Sequence, residues 1–350
     1  MFKVTYFDKK INIDIFHTLT DGNNGSVFFR EIVYNYLELA HPDDFKEEQR
    51  RYRKAEYTME DGYIANYDKK AKDKRSTQKA YCLKGRKISL GAVSVVHEII
   101  DLKMLKTETK KYDCTVTQYL TAVLIYCVYT ANFMNSKKSD SEKNVENLGA
   151  EKVMNLKNPI KICVPVNLKR YFLSKTISNF FSYITVSANQ EIMLENGILS
   201  FDKILSFVKN DFKIKLTQEE IQKTVSTNVR LGTNPFIKSI PLVLKKPIVR
   251  LSYSQIRKYT TMTFSNIGRI GIIGKYQKYI EHFLMLMSPD PVEKIKCSAC
   301  SFENEIVFTF TSILNNCDIE KGFYRFLKDR GINICIESNG VLDVVSSKIK

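Results

Sequence analysis

The sequence predicts a mixed α/β (α+β) fold in two lobes. Three observations carry this: strand-like alternation interleaved with helical periodicity along the chain, 44% hydrophobic residues spread over 350 positions, and a polar break near the middle. A chain of this length buries one large or two medium apolar cores.

In KINIDIF, Lys10 to Phe16, alternation puts Ile11, Ile13 and Ile15 on one face of a strand that delivers His17 at its C-terminal end. The following DGNNG is turn chemistry, and Val27, Phe28, Ile32, Tyr36 and Leu39 then recur at helical spacing behind a capping Ser26 or Asn24. From His41 to Lys87 the composition is polar and charged, as in a long surface excursion. A helix is expected from Val93 to Lys106. A second, largely apolar one, TVTQYLTAVLIYCVYTANF, opens with a cap near Thr115 or Thr117.

The Ser-, Asn- and charge-rich stretch that follows reads as a linker and divides the chain into an N-terminal lobe (1–134), a linker (135–155) and a C-terminal lobe (156–350). Beyond it, strands are expected at Ile160–Val166, Phe181–Ser187 and Thr261–Ser265, with helices near Phe201–Leu216 and Gln218–Leu231. The tail reads as a strand at Ile306–Thr311, a helix capped by Asp318 and Gly331, and the strand INICIES.

Composition narrows the function classes. The N-terminus MFKVTYFDKK lacks a signal-peptide h-region and no apolar run reaches spanning length, so export and membrane insertion are not expected. Eight cysteines without a dense spacing framework suit a reducing cytoplasm. The one close pair, Cys297 and Cys300, lacks the further ligands that a metal site needs, so no metal is expected. Fifty-four basic against thirty-eight acidic residues give a net charge of +16, which favours an anionic partner: nucleic acid, an anionic membrane surface or a phosphorylated cofactor. The lysines are scattered and no zinc-finger or RNA-binding signature accompanies them, so a solvated surface is expected and nucleic acid is not. There is no internal repeat, no Gly-rich phosphate loop and no Gly-x-Ser-x-Gly elbow.

Of four histidines, only His17 stands between a regular strand and a glycine turn. An imidazole titrates near neutral pH, so it can take a proton from an attacking hydroxyl or amine and pass it to a leaving thiolate. In HTLTDG, Asp21 is placed to hold the loop by pairing with a cation, and Gly22 to allow close backbone approach or positive φ. His41, His97 and His282 read as structural.

IFHTLTDGNNGSVFFREIVYNYL resembles the active-site segment of the chloramphenicol acetyltransferase-like superfamily, which includes condensation domains and alcohol acyltransferases. VPVNLKRYFLSKTISNFF, TFSNIGRIG and FYRFLKDRGINICIESNG are similar, in order, to further blocks of bacterial alcohol acetyltransferase-like proteins. The resemblance implies a two-lobed acyltransferase sandwich with mixed sheets and a channel between lobes, in which His17 is the general base, enclosed where donor and acceptor meet. It implies acyl-CoA as co-substrate with no bound cofactor, and a small alcohol or amine as acceptor. It places Lys169, followed by Arg170, where a cation pairs with Asp21. Asn167, Ser174 and Asn179 are expected to shape the lobe interface, and Ser265, Asn266, Gly268 and Arg269 to line the tunnel or its floor. Two departures accompany it: a lysine where an arginine is usual, and a chain that begins with the strand leading to the histidine, leaving an exposed sheet edge. A condensation-type use of carrier-bound acyl groups, with a carrier protein as partner, and a noncatalytic binding protein are the alternatives.

Overall fold

The computed structural model describes residues 1–45, 58–71, 78–89, 91–140 and 156–342. The chain opens as an antiparallel hairpin of β1 (Phe2–Phe7) and β2 (Lys10–Ile15), with Phe2 opposite Ile15 and Phe7 opposite Lys10. The expected first strand is therefore the second, and the pair stands apart from the main sheet with Tyr6 and Phe7 exposed.

The first helix, α1 (Gly22–Ala40), starts inside the DGNNG segment read as a turn. Asp21 is its N-cap, in place of Ser26 or Asn24, because the Asp21 carboxylate accepts the Asn24 N–H at 2.9 Å. Two short helices follow, α2 (Pro42–Phe45) and α3 (Gly62–Ala65). The helix expected over Val93–Lys106 is two elements, strand β3 (Ser94–Asp101) and helix α4 (Leu102–Lys111). The β-branched run of β3 favours a pleated strand, and Asp101 caps α4 by accepting the Met104 N–H. α5 (Val116–Asp140) is capped by Thr115, as expected, and its largely apolar first part, 116–131, packs inside the molecule, with Tyr119, Leu120 and Leu124 wholly buried.

The second half contributes β4 (Ile160–Asn167), a 3-10 turn at Leu168–Arg170, β5 (Phe181–Ala188), α6 (Gln190–Met193) and the small ribbon of β6 (Leu194–Glu195) and β7 (Ile198–Leu199). Helices α7 (Phe201–Lys215), α8 (Gln218–Thr233), α9 (Pro235–Ser239) and α10 (Leu242–Ile256) lead to β8 (Met262–Arg269) and α11 (Gly274–Gln277). β9 (Ile295–Phe302), β10 (Glu305–Ser312), α12 (Asp318–Lys328) and β11 (Ile334–Ser338) close the described chain. Cys317, not Asp318, precedes the first turn of α12, and Gly331 lies beyond its end at φ 75°.

Seven strands form one mixed sheet in the order β11-β3-β10-β9-β8-β4-β5. β8 runs parallel to both β9 and β4, and the other neighbours are antiparallel. The fold is thus mixed α/β. β3 comes from before the expected linker and lies between two strands from after it, so a division at 135–155 does not separate two sheets. Residues 135–140 continue α5, and 141–155 lie outside the described residues.

Each face of the sheet has its own core. Cys297 and Ala299 of β9, with Ile306, Phe308 and Phe310 of β10, pack beneath buried residues of α5, α7, α8 and α12. Cys300 and Phe302 point the other way, into a smaller cluster with Val33, Tyr34 and Leu37 of α1 and with Tyr276 and Phe283. The CSAC cysteines therefore face opposite sides of one strand, a geometry in which they cannot share a metal ion.

Candidate active site

β2 ends at Ile15, and the residues between it and α1 carry the histidine motif. This segment is pinned by the loop before β5. Asn179 Nδ2 donates to the His17 carbonyl at 2.5 Å, Thr20 Oγ1 donates to the Ile177 carbonyl at 2.8 Å, and Asn24 Nδ2 donates to the same carbonyl at 3.1 Å. The His17 ring lies against Phe181, centroids 5.3 Å apart. The ring is exposed, and no described side chain hydrogen-bonds it. The expected enclosure of the imidazole is therefore not formed by the described residues.

Asp21 is buried, but its partners are not cations. One carboxylate oxygen accepts the Asn24 N–H, and the other accepts the Phe180 N–H at 3.3 Å. The expected Asp21–Lys169 pair is absent. Lys169 Nζ donates instead to Asn24 Oδ1 at 2.8 Å, one helical turn further on, and Arg170 is exposed. Gly22 does not have positive φ, and a Cβ there would meet Ile267 and Met285 at ordinary contact distance, so the close approach expected of it is not observed.

Close approach occurs at Gly62, which the sequence reading passed over. A Cβ at that position would lie 2.9 Å from the Phe180 ring. The segment around it straps the loop down: Thr58 N–H donates to the Lys175 carbonyl, Ile177 N–H to the Thr58 carbonyl, and Thr176 Oγ1 to the Glu60 carbonyl. The Tyr63 hydroxyl donates to the Phe181 carbonyl at 2.7 Å and accepts the Phe181 N–H at 3.1 Å, and burial pushes its phenol above the usual range. The polar excursion thus contributes a brace to the loop that holds His17.

The remaining expected residues divide. Asn167 caps the 3-10 turn by accepting the Lys169 N–H, and Ser174 accepts the Thr176 N–H, so both act within their own turns. Asn266 Nδ2 reaches Thr117 at the start of α5, while its Oδ1 accepts the N–H of Gly268, which adopts φ 80° at a bulge in β8. Ser265 is buried in the strand. None of these five lines the cleft beside the motif.

That cleft, about 330 Å3, is lined by Asn23, Asn24, Arg30, Lys169 and Arg269 together with Ile267 and Gly271. Arg30 Nη1 donates to the Gly271 carbonyl at 2.6 Å, its Nε is buried without a partner, and Arg269 lies 3.9 Å from Glu303. Three cationic side chains and no carboxylate line it, so its charge suits an anion such as a phosphate group. His17 is not among its lining residues.

Among the described residues no cluster of His, Cys, Asp or Glu is arranged to hold a metal ion, and no single helix is long and apolar enough to cross a membrane. His282 has Glu305 at 2.9 Å from its Nδ1, and His97 Nδ1 lies 2.8 Å from Thr309 Oγ1.

No protein-family profile matches the chain, and no curated protein matches it. Solved structures are similar to it. The epimerization domain from the third module of tyrocidine synthetase B shares 11% identity at a TM-score of 0.45, over 91% of this chain and 68% of that one. F. sporotrichioides TRI101, solved with coenzyme A and T-2, shares 10% at 0.48, over 89% and 64%. The wax ester synthase/diacylglycerol acyltransferase of Marinobacter aquaeolei VT8 shares 14% at 0.40, over 72% and 52%. The chain spans about half to two thirds of the length of these proteins. None of the likenesses assigns a functional residue.

Proposed function

We propose that this chain is a cytoplasmic acyltransferase that moves an acyl group, acetyl above all, from a CoA thioester to a small alcohol or amine, with His17 as general base. The observation that carries the reading is the junction at the start of α1. Asn179 of the loop before β5 holds the histidine segment by the His17 carbonyl, and the next turn of that segment supplies Asn23 and Asn24 to a cleft with three cations. CoA carries phosphate groups, which Arg30, Lys169 and Arg269 would meet with charge-assisted hydrogen bonds.

In the proposed reaction the imidazole accepts the acceptor's proton as its oxygen or nitrogen bonds to the thioester carbonyl carbon. The C–S bond then breaks, and the thiolate takes the proton back from the imidazolium. No acyl-enzyme forms. Asn179 and Asp21 would act as positioning residues, the first on the His17 backbone and the second on the turn that follows.

A noncatalytic binding protein on the same scaffold is the second reading, favoured by the exposed ring with no carboxylate to orient it. Free-thiol release from acetyl-CoA with a panel of alcohols and amines separates the two. Under the first reading His17→Ala lowers the rate by about 10²–10⁴-fold while the melting temperature holds. Lys169→Gln raises KM for acetyl-CoA but not for the phosphate-free acetyl thioester of N-acetylcysteamine. An unchanged rate in His17→Ala removes the base, and saturable CoA binding without any thiol release establishes the binding protein. Release only from an acyl group on a phosphopantetheinyl carrier protein identifies a condensation-type donor.

A further inference from the structure

α9 and α10 carry the largest run of exposed apolar side chains in the described structure. Phe236 is 85% exposed, Val243 80% and Leu242 67%, with Leu244 and Ile248, one helical turn apart, also open to solvent. Lys238, Lys245, Lys246 and Arg250 are interspersed with them. The surrounding sequence has one sign of charge: the sixty residues from Ile221 to Ile280 contain eleven lysines and arginines and no aspartate or glutamate. Scattered single apolar residues on a surface are ordinary, but this many on one short helical segment is not.

We propose that α9 and α10 form a membrane-docking element that inserts its apolar side chains into the interfacial region of an anionic lipid bilayer while its cations meet the lipid headgroups. The charge selects the occupant. A second copy of the chain, itself at +16, would bring like charges together at this surface, and so would docking of another cationic part of the same chain. An acidic lipid surface complements it. The exposed apolar side chains are spread along α9 and α10, and fluid acyl chains accommodate such side chains where a protein partner would need matching pockets. α10 is too short to span a bilayer, so it lies in the interface plane, and lysine and arginine stems snorkel to the headgroups.

The test is co-sedimentation of the full chain with phosphatidylcholine vesicles and with vesicles that also contain phosphatidylserine. The parent protein binds the mixed vesicles at least tenfold more tightly than neutral ones. Lys245→Gln/Lys246→Gln/Arg250→Gln weakens that binding on the order of 100-fold, at about one kcal/mol per basic residue near an anionic surface. Val243→Ser/Leu244→Ser/Ile248→Ser abolishes the fraction that survives high salt. Thermal melting of both variants matches the parent, because every substituted side chain is exposed or flanks exposed ones. Thiol release from acetyl-CoA by both variants also matches, so this proposal stands or falls apart from the acyltransferase reading. Three results overturn it: vesicle binding by the serine variant equal to the parent, which assigns binding to the general cationic surface; a parent oligomer that the serine variant dissolves, which makes the patch a self-interface; or retention on an immobilised acidic polypeptide with none on vesicles, which assigns it to an acidic protein.

Discussion

The Asp21 carboxylate accepts two backbone N–H groups, from Asn24 and Phe180, where a side-chain cation was expected. It therefore ties the start of α1 to the loop before β5, and Phe180 becomes the pivot of the site. The Phe180 ring lies against Gly62 so closely that a methyl group there must displace it. Gly62→Ala is expected to cost about 1–3 kcal/mol, the range for overpacking, read as a lower urea midpoint, and to lower any thiol-release activity by shifting the residues that hold His17. An unchanged midpoint would show that the ring has room to move. Strand, histidine and helix were legible because they lie within one short stretch governed by local rules, but the cap was not, since Asn24 and Ser26 are as good capping residues as Asp21. Nor was the brace. Tyr63 meets Phe181 across 118 residues through a hydroxyl and backbone groups, which leave no periodic trace.

Among elements, β3 and α4 show how two short local patterns merge into one false one. The apolar residues from Val93 to Lys106 fit a helical period when read together, yet SVVHEIID is rich in β-branched residues and ends at Asp101, the cap of α4. That cap after a β-branched run was the available signal. β3 also brings Glu98 into the larger core, near Glu320 of α12. Burial pushes the Glu320 carboxyl up to about 7, with Asp318 adding to the rise and the Glu320 backbone N–H and Lys321 opposing it. Burial, with Glu320 adding to it, raises Glu98 well above its usual range too. Both are neutral in the folded state at low pH. A carboxyl raised on folding binds more protons in the native state, so its contribution to stability is full below about 4.5 and is lost as pH rises through about 7. Glu320→Gln should therefore match the parent near pH 5 and exceed it near pH 8, by on the order of 3 kcal/mol at about 1.4 kcal/mol per pKa unit between 4.5 and about 7. Chemical denaturation at the two pH values measures this, and equal gains at both would refute the assignment.

At the scale of the whole molecule, the two cores are joined through β9, whose alternate residues serve one cluster and then the other. Because β9 contributes side chains to both cores, loss of either is expected to loosen the other, and unfolding to follow a single transition. The chain has no tryptophan, and its tyrosines report on both sides: Tyr119 in the larger core, Tyr34 and Tyr276 in the smaller. Urea curves by tyrosine fluorescence and by far-UV circular dichroism should coincide. Phe308→Ala and Phe283→Ala, each costing about 3–5 kcal/mol, should shift both curves together. Separate midpoints would mean that the faces are independent. The mixed α/β class was readable from the order of strands and helices, but the strand order was not, because pairing partners far apart in sequence leave no local mark.

The position of β3 has a consequence for biosynthesis. It leaves the ribosome by residue 101, yet its neighbours begin at residues 305 and 334, so it waits about two hundred residues for the first of them. At about 5–20 residues per second that interval is roughly 10–40 s. For all of it the nascent chain carries an unpaired β-branched segment with two open edges, which is where cotranslational chaperones would be needed first.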